Sequence, residues 1–384
     1  MEPKWDLFSV ILYCIMGSVG YFCSSKALRC KYNGRSKIYY YALWFSIWVL
    51  FASLRYVTYR IGGTDARTYV YFFENINSPY LPSYYEHYDQ GFWIFTWIIR
   101  LFTSNYHIYF MVFYGVLVYC YIRFVDEFSV AYGIYTSYFL IFFIYLRGFA
   151  SFRTNLSVAF LLLSLVYLHR NQKIKMIAYI IIACSMHKAT LLYALFYVFY
   201  YINKKKPITI KASAVFSVLA GLTGYIVRDY IGLFFDSEIY AYASYATRSI
   251  GASFFDNFWK IAIGQLILMV MMIILNKDII KIIETDKKNK GMLSLLRTLC
   301  IYDFVTIPIT FILGVWRGYE YFYLPRMAMW GIIIYIETYK FFNYQYKKMY
   351  RIITYIAMVV WFIFRLYNTY EESSLLPYIF APLM

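Results

Sequence analysis

Thr154-Asn-Leu-Ser-Val-Ala-Phe-Leu-Leu-Leu-Ser-Leu-Val-Tyr-Leu168 runs without a charge between Arg153 and the pair His169-Arg170. A helix on the surface of a soluble domain keeps one charged face, but this stretch has none, which suits a buried core or lipid. The rest of the chain decides for lipid. Of its 384 residues 62% are hydrophobic and 15% charged, with a mean hydropathy of +0.53. That leaves too little polar material to cover a soluble domain. Nine Trp, 47 Tyr and 35 Phe add an aromatic excess of the kind that collects at membrane–water interfaces. The sequence therefore predicts an all-α, polytopic integral membrane protein, read as one domain over 1–384.

Comparable apolar runs lie at 7–22, 38–54, 107–122, 130–146, 174–186, 189–202, 212–227, 258–275, 296–315, 322–339 and 350–367. With a shorter run at 91–102, about 12–14 transmembrane helices are expected. The opening Met-Glu-Pro-Lys-Trp-Asp is unlike the basic leader of a cleaved signal, so Leu7–Phe22 is read as a retained first span.

Lys and Arg set the orientation. The segments 23–37, 170–175, 204–211, 276–297 and 340–351 hold more than half of the basic residues and are placed in the cytoplasm. This bias accounts for the net charge of +17. No basic residues interleave with a groove-reading element, which excludes nucleic acid. Alternation then makes 55–90, 147–153, 187–188, 228–257 and 316–321 external. Parity requires both ends of Gly91–Phe102 on the outer side if 107–122 runs inward. The run 91–102 is thus predicted to be a re-entrant or tilted half-helix, tolerated where protein or a water-filled cavity covers it. The alternative is a full span there, with another short run not crossing. The six cysteines form no CxxC pair, and nothing suggests a disulfide framework, a zinc site or another metal.

The external segment 55–90 mixes Arg55, Arg60, Asp65, Arg67, Glu74, Glu86 and Asp89 with eight tyrosines, among them Tyr69. Such a mixture suits either a carbohydrate surface or an interfacial aromatic belt. Charges at membrane depth say more. Arg147 and Arg153 bracket a short turn, His187 and Lys188 break the apolar hairpin 174–202, and Arg317 and Arg326 flank the start of 322–339. A charge at that depth is costly unless paired or hydrated, so it marks a polar site. One arginine alone reads equally well as snorkelling to headgroups; four converging with His187 and Lys188 read as a site for a lipid-linked pyrophosphate. A histidine there could take a proton from an attacking hydroxyl. There is no Gly-rich phosphate loop, HExxH, GxSxG or DxD cluster. The energy of any reaction must come with the substrate or from a gradient.

Arg60-Ile-Gly-Gly-Thr-Asp65-Ala-Arg67-Thr-Tyr69, followed by Tyr88-Asp89-Gln90-Gly91-Phe92, resembles the EpsG family of Wzy-type polysaccharide polymerases. In that family an R…G-x-D…Y stretch follows the second helix and an E-x-G-F/Y stretch opens a short one; Asp89 takes the acidic place here. Phe152-Arg153-Thr154 resembles the family's R-Q element with Thr154 in place of Gln, and Cys184-Ser185-Met186-His187-Lys188-Ala189 its F-H-x-S/T-A element with Met186 replacing the aromatic. The similarity covers roughly 40–340.

The resemblance implies a GT-C-like glycosyltransferase of the bacterial cytoplasmic (inner) membrane, its site facing the periplasm or exterior, using no nucleotide, metal or cofactor. It would polymerise O-antigen, capsule or exopolysaccharide repeat units, as in lipopolysaccharide biosynthesis. The growing glycan leaves undecaprenyl pyrophosphate and joins a hydroxyl of a fresh lipid-linked repeat unit, with membrane lipid and a chain-length regulator as further partners. Arg153 and Arg326, helped by Arg147, Arg317 and Lys188, would neutralise the pyrophosphate. Asp65, Asp89, Glu86 or His187 would deprotonate the acceptor, with Asp65 favoured as base or positioning group and His187 set near the phosphate. Arg67 would orient Asp65 or a sugar, with Arg60 and Tyr69 also on the glycan side. Alanine at Arg153 or Arg326 is expected to abolish chain growth while the protein level stays normal. The loop 228–257 is read as a lid. A lipid-linked oligosaccharide flippase and an O-antigen ligase remain alternatives, with an acyltransferase third; a flippase should show an internal repeat, and none is found.

Overall fold

The computed structural model describes residues 4–83, 89–128, 144–205, 208–234, 265–285, 290–312, 321, 323–341 and 344–381. Glu86 and Arg317 lie outside the described residues, as do most of the expected span 130–146 and the lid segment beyond Phe234. Among the described residues the structure is helical, with two isolated bridges, Arg55–Phe380 and Thr58–Ile61. The chain forms two compact units, Met1–Lys188 with Glu337–Met384, and Ala189–Ile336.

The first unit contains α1 (Leu7–Tyr32), α2 (Ile38–Ser53), α3 (Ala66–Asn75), α4 (Gln90–Arg100), α5 (Tyr106–Phe128), the single turn α6 (Arg147–Ala150), α7 (Phe152–His169) and α8 (Lys173–Met186). The second contains α9 (Thr190–Ala194), α10 (Phe196–Lys205), α11 (Ile210–Phe234), α12 (Gln265–Ile274), α13 (Asn276–Thr285), α14 (Lys290–Ile312) and most of α15 (Tyr323–Phe341). Helix α16 (Tyr344–Ser373) returns to the first unit. Five described helices, α1, α5, α7, α14 and α16, are long and apolar enough to cross a bilayer. Exposed Met349, Ile352, Ile353, Ile356, Val360 and Phe364 line α16, a face that water penalises and lipid does not. The protein is an all-helical, polytopic membrane protein.

Several elements differ from the sequence reading. Helix α1 continues ten residues past Phe22, so Lys26, Arg29 and Lys31 lie on a helix; nothing breaks it before Asn33-Gly34, where Gly34 takes a φ of +66°. The run 189–202 is split into α9 and α10 at Leu195. The segment 55–90, read from the sequence as external, holds the amphipathic helix α3, which buries Tyr69, Val70, Phe72 and Phe73. At 91–102 stands α4, eleven residues long. That is about 16 Å at 1.5 Å per residue, roughly half the hydrocarbon thickness.

Helix α7 is the centre of the first unit. It packs most extensively on α8 and also on α5, and nearly all of its side chains are buried. Its buried polar groups find partners: the Ser157 hydroxyl donates to the Ala183 carbonyl at 2.8 Å and the Asn155 amide to Ser151 O at 2.8 Å. At the far end of α7 the basic segments meet acids. Lys31, Lys37 and Tyr41 bind Asp126, while His169 and Arg170 bind Glu127 at 2.7 and 2.6 Å. Neither acid was singled out in the sequence, yet Asp126 gathers Lys31 of α1 and Lys37 at the start of α2, and Glu127 gathers the end of α7.

The opposite end is closed by the C-terminal tail. Backbone N–H groups of Gly62 and Gly63 donate to Ser374 O, Thr64 N–H to Ser373 O, and Tyr56 N–H to Ile379 O, at 2.7–3.1 Å. Gly63 is required there: its φ is +117°, and a Cβ would stand 1.8 Å from the Phe149 carbonyl oxygen. Arg55, read with the external charges, is instead 1% exposed. Its guanidinium donates to Gly62 O and Ala52 O and lies 4.2 Å from the ring centres of both Phe110 and Phe149. A planar, weakly hydrated cation can be held this way, by carbonyls and ring faces. The loop bearing Asp65 is thereby fastened to the turn that bears Arg153.

Candidate functional site

The closed end of the first unit brings together three residues far apart in sequence. Asp89 stands at the N-cap of α4, Arg153 in the first turn of α7, and His187 at the C-cap of α8. Gly91 makes this junction possible. A Cβ there would lie 2.4 Å from Ser185 Oγ and 2.6 Å from the Ser185 carbonyl oxygen, so only glycine lets α4 begin against the end of α8.

The Asp89 carboxylate is the hub. Its Oδ2 accepts from Arg153 Nη1 at 3.1 Å and faces His187 Nδ1 at 3.1 Å, and its Oδ1 accepts the backbone N–H of Lys188 at 2.8 Å. Only 4% of the Asp89 side chain is exposed, against 20% for Arg153 and 11% for His187. Facing a carboxylate, Nδ1 carries the imidazole proton, which makes Nε2 the basic nitrogen. Helix ends favour two of these placements: an anion at the start of α4 and, at the end of α8, a ring able to take up a proton. Arg153 sits at the start of α7, where the helix dipole opposes a cation, and Asp89 holds it there. With the exposed Lys188 ammonium beside it, the cluster carries one more cation than anion when His187 is neutral. Such a group can hold an anion and accept one proton.

The other expected residues of this unit fall as follows. Asp65 is half-buried at the N-cap position of α3, just beyond Gly63, and its side chain makes no capping bond. Arg67 is exposed on α3 and meets Glu74 at 3.9 Å. Arg60 is exposed and Arg147 half-buried on α6. Tyr69 is buried; its ring stacks on Phe152 at 4.6 Å and meets Phe92 edge-on at 5.5 Å, so it packs beside the cluster and supports the start of α7.

Within the second unit, Arg326 of α15 is paired with Asp303 of α14, Nε to Oδ2 3.0 Å, both side chains at most 6% exposed. Its guanidinium also lies 5.0 Å from the Tyr323 ring centre. Nearby in the same unit Tyr193 stacks on Tyr321 at 4.1 Å, and the Thr190 hydroxyl donates to Tyr321 Oη at 3.0 Å. Asp303 was not singled out in the sequence. Its signal was there: a lone acid inside the apolar run 296–315 needs a partner.

The profile of the EpsG family matches residues 35–380. The match takes in the C-terminal tail that closes the end of the first unit. No curated protein and no solved structure matches the chain.

Proposed function

The chain belongs to the EpsG family, and on that premise we propose that it is a polysaccharide polymerase transferring a growing glycan from undecaprenyl pyrophosphate to a lipid-linked repeat unit. The observation that carries this reading is the Asp89 carboxylate bound at once by Arg153, His187 and the Lys188 backbone. The acceptor hydroxyl oxygen attacks the anomeric carbon, and its proton passes to His187 Nε2. The bond from that carbon to the pyrophosphate oxygen breaks, and Arg153 and Lys188 stabilise the charge that develops on the leaving group. Asp89 orients the imidazole and stabilises the imidazolium that forms. Asp65, read from the sequence as base or acceptor-positioning group, takes the second of these roles on the neighbouring loop.

The reading places the Asp89 cluster at the outer surface of the bacterial cytoplasmic membrane. Its support is the basic and acidic network of Lys31, Lys37, Asp126, Glu127 and Arg170 at the other end of α7. Mass analysis of lipid-linked oligosaccharides from cells lacking the gene should find single repeat units accumulated on the outer leaflet and long chains missing. Single units held on the inner leaflet would instead identify a flippase. Long lipid-linked chains that never reach their final anchor would identify a ligase.

A further inference from the structure

One line of α7 leads from the Asp89 cluster into the apolar body of the first unit. Between Phe152 and Leu168 only Arg153, Phe160 and Tyr167 escape full burial. Their heptad spacing sets them along one side of the helix. Phe160 and Tyr167 both stack on Tyr179 of α8, with centroids 6.2 and 5.2 Å apart. Beside this line lies an apolar groove of about 410 Å³, whose walls include Phe45, Gly115, Tyr119, Phe160, Leu163 and Tyr179. Its size falls within the roughly 300–1,000 Å³ usual for small-molecule sites. Gly115 keeps it open, because a Cβ there would touch only the Phe45 ring, at 3.6 Å, and a longer side chain would extend into the groove.

We propose that this groove holds the first isoprene units of the lipid-linked substrate, with the pyrophosphate at Arg153 and Lys188. The inference rests on the polymerase reading for its ligand. Phe160 lies seven residues from Arg153, about 10 Å along the helix at 1.5 Å per residue. A chain leaving a head bound at Arg153 reaches it directly. The groove's walls carry the rings of Phe45, Tyr119, Phe160 and Tyr179, against which flat, methyl-branched isoprene units can lie.

The test uses the full chain in nanodiscs and a polyprenyl phosphate carrying a diazirine on its third isoprene unit. Irradiation should give adducts at Tyr119, Phe160 or Tyr179, and excess phosphatidylglycerol should leave them unchanged. Gly115→Leu should cut labelling about tenfold, as filling a preformed cavity does, while Gly115→Ala should not. Val116→Trp, on the rim, serves as a second filling variant should Gly115→Leu fold poorly. Adducts spread elsewhere, equal labelling in a folded filling variant, or displacement by phosphatidylglycerol would overturn the proposal. A groove labelled as expected in a protein whose loss leaves glycan chains at full length would overturn the polymerase reading instead. Lost chains with an unlabelled groove would overturn only the groove.

Discussion

Asn in place of Asp89 is expected to lower glycan chain growth by on the order of 10³-fold while the protein stays folded in the membrane. The substitution keeps the shape of the side chain, and Asn Oδ1 can still accept the Lys188 N–H that Asp89 accepts at 2.8 Å. The other half of the carboxamide fails. The position of Oδ2 faces Arg153 Nη1 and His187 Nδ1, each at 3.1 Å, and an amide NH₂ there sets donor against donor. If the amide flips, the same clash moves to the Lys188 N–H. His187 is then driven toward the tautomer with its proton on Nε2, where it can no longer accept one from the acceptor hydroxyl. Arg153 loses the anion that holds it against the dipole of α7. The checks are polymer length by gel, single repeat units by mass, and the amount of protein in isolated membranes. Chains of normal length from a normal amount of Asn variant would remove Asp89 from the mechanism and return the base to Asp65.

The sequence shows which charges matter more readily than it shows how they pair. Arg153 and His187 were legible because a polar residue at the end of an apolar run is costly without a role, and Asp89 because it fills the acidic place of the family's E-x-G-F/Y stretch. Their partnership was not, since 64 residues separate Asp89 from Arg153 and 98 separate it from His187. Periodicity carries no register between helices, so Asp65 and Asp89 looked alike: both acidic, both two residues from a glycine, both followed by aromatics. What separates them is Gly91, whose missing side chain lets α4 start against Ser185 and delivers Asp89 to the end of α8. Arg55 was misread for a related reason. It lies among exposed charges in the sequence, and only the folded tail and the rings of Phe110 and Phe149 turn it into a buried strut. The long spans were easy because lipid demands apolar length. Their ends were harder, because helices such as α1 and α5 continue into charged segments whose partners lie on other elements.

The Arg326 substitution revises an expectation drawn from the sequence. Alanine there is expected to lower the amount of folded protein as well as chain growth, because Arg326 is the partner of a buried carboxylate. Asp303 is 3% exposed and Arg326 5%, with Nε and Oδ2 3.0 Å apart. Removing one member of such a pair leaves an uncompensated charge in an apolar setting, at a cost of about 3–5 kcal/mol. Removing both need not cost much, since apolar side chains of similar volume can replace a buried pair. The double variant Asp303→Leu with Arg326→Met should therefore regain the protein level that each single variant loses, as read by membrane immunoblot and by melting in detergent. Its chain growth then separates two roles. Growth restored with the protein would mean that Arg326 serves the fold through Asp303 and never meets the pyrophosphate. Protein restored without growth would mean that the guanidinium acts on the substrate and that Asp303 holds it in place.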